Sequence, residues 1–188
     1  MALSPDGKLL ALAVAPRPLI DDWGAFAESL EAPLPSCVWA NRLRIEPARF
    51  AALLQDEGLK PEPLAWRPAA FRLPSAVKPG NHWWYLAGLG HSQEEVSQLP
   101  VALLDPRPGE RVLDLCAAPG GKSAQIVQAL DNRGTLVAND ALVGRVRGLR
   151  ANLERLGALN VSATVYDGSN YPGAAGRFDR VLVDAPCS

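Results

Sequence analysis

The stretch Val112-Leu-Asp-Leu-Cys-Ala-Ala-Pro-Gly-Gly-Lys-Ser123 decides the fold class. Val112, Leu113 and Leu115 read as a short buried strand. Gly120 and Gly121 permit a sharp turn and a close approach of ligand to backbone. A helix from about Lys122 to Leu130 follows, and its first free amides point back at the turn. This is a nucleotide-type cradle at the carboxyl end of a strand, where open α/β sheets hold their ligands.

Working outward, the residues separate three kinds of cradle. A dinucleotide fingerprint needs G-x-G-x-x-G, and here the glycines are adjacent. A phosphate-binding P-loop needs a glycine at position 116, which is a cysteine. The third option is a site for S-adenosylmethionine (SAM). Asp140 favours it, because this acid ends the next strand, Thr135-Leu-Val-Ala-Asn-Asp140, about 20 residues after the glycines, where an acid can accept hydrogen bonds from ribose hydroxyls. A second apolar strand, Val181 to Val183, reads as fully buried and carries Asp184-Ala-Pro-Cys187 at its carboxyl end, on the same rim. An NTPase reading, with Asp184 at a magnesium-binding strand end, stands against the glycine spacing.

The pair Asp114-x-Cys-Ala-Ala-Pro-Gly-Gly-Lys122 and Asp184-Ala-Pro-Cys-Ser188 closely resembles the RNA (cytosine-5)-methyltransferases of the Nol/Nop/Sun (NSUN-type) family. The resemblance runs from about Val38 onward, and within the family it is strongest to the bacterial ribosomal-RNA enzymes. It implies an α/β fold: a Rossmann-like SAM-dependent methyltransferase sheet over residues 76–188, incomplete here, after a small α/β RNA-binding region over residues 1–75. Proline-rich joints between Pro61 and Pro79 fit a boundary near residue 75.

Composition bounds this reading. Apolar residues make up 48% and charged residues 21% of the 188, which suits a globular protein with a core. A net charge of −1 means that any nucleic-acid surface must be local. No apolar run approaches membrane-spanning length, and Leu9 to Ala15 lacks the basic start of a signal peptide. Three widely spaced cysteines argue against a disulfide scaffold and for a reducing, cytoplasmic setting. His82 and His91, with no Cys-x-x-Cys pair, do not make a zinc site, and no metal is expected.

Along the chain the first twenty residues are hard to place, and Asp21 or Asp22 can cap a short helix through Leu30. Cys37 to Ile45 reads as a strand. Pro47 opens a helix with Phe50, Leu53 and Leu54 on one face, and Gly58 stops it. Extended pieces follow around Leu64 to Trp66 and Ala70 to Leu73. Ser92-Gln-Glu-Glu95 is a capping-box signature that predicts a helix opening near Ser92, with Pro100 kinking it. From Arg111 strands and helices alternate. The helix from about Ala141 to Leu156 carries the stripe Leu142, Val146, Leu149, Leu153 and Leu156. Arg145, one turn past Asp140, can reach a cofactor. Asn160 to Tyr166 is the third strand, with Asp167 at its end.

The expected cofactor-binding set is therefore Cys116, Ala117, Ala118, Pro119, Gly120, Gly121, Lys122, Asp140, Arg145, Asp167 and Asp184. Lys122 can pair with the cofactor carboxylate. The resemblance gives Asp167 the adenine amino group; on the residues alone it reads as a turn-starting Asp. Methylating carbon 5 of cytosine needs a thiolate added at carbon 6 and a base taken out of its stack. Cys187 and Asp184 are the candidate catalytic residues. The resemblance assigns Cys187 to product release and Asp184 to the target base or the cofactor's amino-acid end. It puts the attacking cysteine in a later Thr-Cys motif that the sequence does not reach by Ser188. Cys116 and Cys37 read as packed residues. RNA is the implied partner, ribosomal before transfer RNA. The 188 residues alone are then expected to be inactive, with an open edge at the last strand that seeks a missing carboxyl-terminal half. The alternative is a non-catalytic SAM- or RNA-binding module completed by another chain.

Overall fold

The computed structural model describes residues 21–31, 33–172 and 177–185. The readings for the first twenty residues and for Cys187 lie outside them. The chain divides into two compact units, 1–34 and 35–188. In the first, helix α1 (Trp23–Glu31) is capped as expected, the Asp22 carboxylate accepting from the Ala25 amide at 2.9 Å.

The second unit begins with an antiparallel sheet. Its strands are β1 (Ser36–Ala40), β2 (Glu62–Leu64), β3 (Arg67–Leu73) and β4 (Gly90–Ser92), in the order β2-β3-β1-β4. Helix α2 (Pro47–Asp56) opens on Pro47 and buries Phe50 and Leu54. The short helix α3 (Trp83–Leu86) adds Trp84 to the same core. Two expectations are corrected here. β1 stops at Ala40, not Ile45, because the Asn41 carbonyl receives the amides of Arg44 and Ile45 at 2.9 and 3.0 Å and folds the chain into a turn. No helix opens at Ser92, which instead ends β4 opposite Val38. Helix α4 (Leu99–Leu104) starts later, with Pro100 in its first turn. A proline there lacks only an amide that the helix does not use, so it starts the helix and does not kink it. β4 also carries this sheet to residue 92, past the joint expected near residue 75.

The rest is a parallel α/β layer. β5 (Arg111–Asp114), α5 (Gly121–Ala129), β6 (Thr135–Asn139), α6 (Val143–Leu156), β7 (Val161–Thr164) and β8 (Arg180–Leu182) follow in turn. The strand order is β7-β6-β5-β8, all parallel, which is the Rossmann-like sheet that the alternation predicts. On α6, Val146, Leu149, Leu153 and Leu156 are buried, whereas Leu142 precedes the helix and is exposed. The last strand differs from its reading. Only Leu182 is buried; Val181 is 47% and Val183 60% exposed, because among the described residues β8 pairs with β5 alone.

β1 joins the two layers. Its alternate side chains point to opposite faces. Val38 and Ala40 enter the core with Phe50, Phe71 and Trp84, while Cys37 and Trp39 enter the core with Val112, Ile126 and Leu136. Just beyond it, fully buried Asn41 donates from Nδ2 to the carbonyls of Gly88 and Leu156, at 2.7 and 2.8 Å.

Candidate active site

The glycine turn lies between the end of β5 and the start of α5, and its backbone is bonded on several sides. Gly120 has φ of +107°, which a side chain rarely adopts. A Cβ there would also stand 3.0 Å from Leu149 Cδ1, so α6 packs directly against the turn. A Cβ on Gly121 would come within 3.3 Å of the Gln93 amide. The turn amides are used: Ala117 donates to the Asn139 carbonyl at 2.7 Å and Ala118 to Asp140 Oδ2 at 3.3 Å. Arg145 donates to the Ala118 carbonyl at 2.7 Å and pairs with Asp140 at 3.2 Å.

Asp140 is thus at its expected strand end, but it is only 2% exposed and also accepts from the Leu142 amide at 3.1 Å. It and Arg145 stand behind the turn and brace it. Asp167 is exposed and closes a small turn on Ser169, accepting from its amide and hydroxyl at 2.9 and 2.8 Å. Those bonds hold its carboxyl below the usual range.

In front of the turn lies a cleft of about 370 Å³. Cys116 to Pro119, Gly121, Lys122 and Asp184 form one wall of it. Lys122 Nζ meets Asp184 Oδ2 at 2.7 Å, so the lysine's partner is the acid at the tip of the neighbouring strand. Burial, and then the negative charges of Asp114, Asp140 and Asp184, push the Cys116 thiol upward. A thiol so placed stays protonated and is a poor nucleophile. Cys37 is a core residue that accepts from Gln98 Nε2 at 3.2 Å. Ser123 is fully buried and donates to Asp114 at 2.6 Å, so Gly121-Lys122-Ser123 does not offer a hydroxyl to a metal as a P-loop does.

Three parts of the site stand outside the expected residue set. The other wall comes from the amino-terminal layer: Tyr85, His91, Ser92 and Gln93. Gln93 joins the walls, its Oε1 accepting from Trp39 Nε1 at 2.9 Å and Gln125 Nε2 at 2.8 Å. Asn139 is the second. It is fully buried, donates to the carbonyls of Leu115 and Tyr166 at 3.0 and 2.9 Å, and accepts from the Thr164 hydroxyl and the Tyr166 amide, both at 3.0 Å. One side chain therefore fixes the carboxyl ends of three strands. A polar residue closing an apolar strand was the available signal. Asp114 is the third, 1% exposed with Oδ1 unpartnered, and burial raises its carboxyl to about 6.

His91 and Asp114 give stability opposite pH slopes. His91 Nδ1 faces Arg155 at 2.9 Å; the guanidinium can only donate, so the imidazole is neutral with its proton on Nε2. Burial, and then Arg155, lower His91 to about 4. Its folded value is below its unfolded one, so its contribution is present above about 6.5 and is lost as pH falls through about 4. Asp114 is raised, so its stabilising effect is full below 3.8 and is lost as pH rises through about 6. Asp114→Asn is therefore expected to melt more steeply on acidification than the wild type. Thermal melts from pH 4 to 7 in which the difference between the two chains stays constant would refute this linkage.

Comparison with known proteins adds to this geometry. Residues 101–188 match the family model described as 16S rRNA methyltransferase RsmB/F. The chain is 41% identical over 165 residues to the mouse 28S rRNA (cytosine-C(5))-methyltransferase, covering 87% of this chain and 21% of the mouse protein. It is 39% identical over 171 residues to the Pyrococcus abyssi tRNA (cytosine(49)-C(5))-methyltransferase, covering 90% of this chain and 55% of that one. The crystal structure of a methyltransferase homolog protein from Pyrococcus horikoshii superposes with a TM-score of 0.79 at 36% identity, over 86% of this chain and 53% of the other. The chain thus spans from about a fifth to about half of the length of these relatives.

Proposed function

Since residues 101–188 belong to the RsmB/F family of RNA methyltransferases, we propose that the chain is the cofactor-binding part of an RNA cytosine-5 methyltransferase. The observation that carries this reading is the cleft that unites the glycine turn, the Lys122–Asp184 pair and a wall of the amino-terminal layer.

The residues fit SAM. Its sulfonium and ammonium are cationic, and Asp114, Asp140 and Asp184 surround Cys116 with only Lys122 and Arg145 as counterions. SAM supplies a methyl group on a positively charged sulfur. Residues 116–122 hold it, the Asp140–Arg145 pair keeps the Ala118 segment in place for it, and Asp167 takes the adenine amino group from its exposed turn. Asp184 accepts from the target cytosine, and Lys122, 2.7 Å away, holds Asp184 in place for it. Cys187 serves product release, and the first attack belongs to a cysteine of a Thr-Cys motif.

Ribosomal RNA is the substrate class we favour, on the family description, with the amino-terminal layer as its docking region. No described helix is long and apolar enough to cross a membrane, and Cys37 and Cys116 are free thiols. Both accord with work in the cytoplasm.

Isothermal titration with S-adenosylhomocysteine tests the reading. Binding is expected, and Asp140→Ala should weaken it roughly tenfold or more, because the Ala118 segment of the cradle loses the carboxylate that braces it, a charge-assisted contact of about 1.5–3 kcal/mol. A chain that melts cooperatively and takes up no ligand would overturn it.

A further inference from the structure

The amino-terminal layer carries a row of arginines that the site does not use. Arg42 and Arg67 line a cavity of about 250 Å³ together with Trp66 and Gln128. Its polar groups are unspent. Gln128 Oε1 accepts the Arg42 amide at 3.1 Å, which turns Nε2 the other way, and that donor is buried without a partner. Arg67 Nε is buried without a partner as well. Arg42 stands close enough to lower the Arg67 guanidinium, after burial has done so. Two like charges beside two orphan donors form a place for an anion.

Arg42 also lines a second cavity, of about 460 Å³, with Arg44, Arg49 and Trp83. Trp83 is 56% and Trp66 42% exposed. Among the described residues, none of Arg42, Arg44, Arg49 and Arg67 is ion-paired; Arg44 donates to the Ala87 carbonyl only. Elsewhere Arg72, Arg107, Arg111, Arg133, Arg145 and Arg180 have carboxylate partners, while Arg147, Arg150 and Arg155 on α6 have none among the described residues; what sets the row apart is the exposed Trp66 and Trp83 beside it. The carboxylates near the row are mostly engaged: Asp105 with Arg107, and Glu95 with Arg72 and Trp66. Glu46 is the exception within it, and beyond Trp83 the surface turns acidic at Asp56 and Glu57.

We propose that Arg67, Arg42, Arg44 and Arg49 form a track for the sugar-phosphate backbone of a single-stranded stretch of RNA, with bases stacking on Trp66 and Trp83 at its ends. Unpaired guanidinium groups flanked by exposed aromatic rings are the combination that holds an unstacked strand without reading its sequence. The proposal rests on the RNA-methyltransferase reading and adds where the substrate strand lies.

The test is fluorescence anisotropy with a labelled oligouridylate of about fifteen nucleotides across a salt series, alongside S-adenosylhomocysteine titration of the same proteins. Arg42→Ala combined with Arg49→Ala should weaken RNA binding roughly tenfold or more and reduce the salt slope by about 1.4, or about 0.7 per lost phosphate contact. Trp83→Ala should weaken binding roughly fivefold or more and leave the slope alone. Cofactor affinity should not move in any of them. Wild-type RNA affinity and slope in the arginine variant would overturn the track, as would a chain that takes the cofactor and not the RNA. A chain that binds RNA through these residues and not the cofactor would uphold the track and sink the methyltransferase reading.

Discussion

Gly120→Val is expected to abolish cofactor binding, with a loss of more than about a hundredfold. Two independent effects combine. The backbone at 120 has φ of +107°, which a β-branched residue tolerates worst. The added Cβ would also lie 3.0 Å from Leu149 Cδ1 and 3.5 Å from the Leu149 carbonyl oxygen on α6. Valine therefore cannot enter without displacing the turn, and the turn carries Ala118, whose amide and carbonyl anchor to Asp140 and Arg145. Calorimetry with S-adenosylhomocysteine measures the effect, and circular dichroism checks that the sheet still forms. A folded variant with wild-type affinity would mean that the ligand does not lie on this turn.

Asn139→Leu should cost more stability than replacing any other polar residue in the parallel layer. Four partners lose their bonds together: the carbonyls of Leu115 and Tyr166, the Tyr166 amide and the Thr164 hydroxyl. Each buried group left unpaired costs about 1–3 kcal/mol, and water reaches some of them, so a total of about 3 kcal/mol or more is expected. Such domains have only about 5–15 kcal/mol in hand. The melting temperature should fall by about 10 °C, at roughly 2–4 °C per kcal/mol. Asn139→Asp keeps the two accepted bonds but sets a buried carboxylate oxygen against the Leu115 and Tyr166 carbonyls, and should cost at least as much as leucine. Equal melting of all three chains would show that the strand ends are fixed by something else.

The parallel layer was legible because its signals are local. Apolar runs, the Gly120-Gly121 turn and the stripe Val146, Leu149, Leu153 and Leu156 each report on a few neighbouring residues, and the sheet followed from them. The helix expected at Ser92 failed because a capping box is a weak local preference, and pairing of Gly90–Ser92 with β1 overrode it. Val181 and Val183 read as buried because apolar composition does not reveal which strands flank a strand. The rim acids were placed correctly along the strands, but spacing could not show that Asp140 faces Arg145 and the turn amides, or that Lys122 holds Asp184. Gln93 and Tyr85 lie far from the turn in sequence, and only tertiary packing puts them on its cleft.

Strand β1 has five residues and serves two cores at once. Such a strand cannot be inherited piecemeal. A chimera that joins the amino-terminal layer of one relative to the parallel layer of another must match Val38 and Ala40 to one parent, and Cys37 and Trp39 to the other. Recombination is therefore constrained inside the strand, residue by residue, and the two layers are expected to change together over time as a single inherited block.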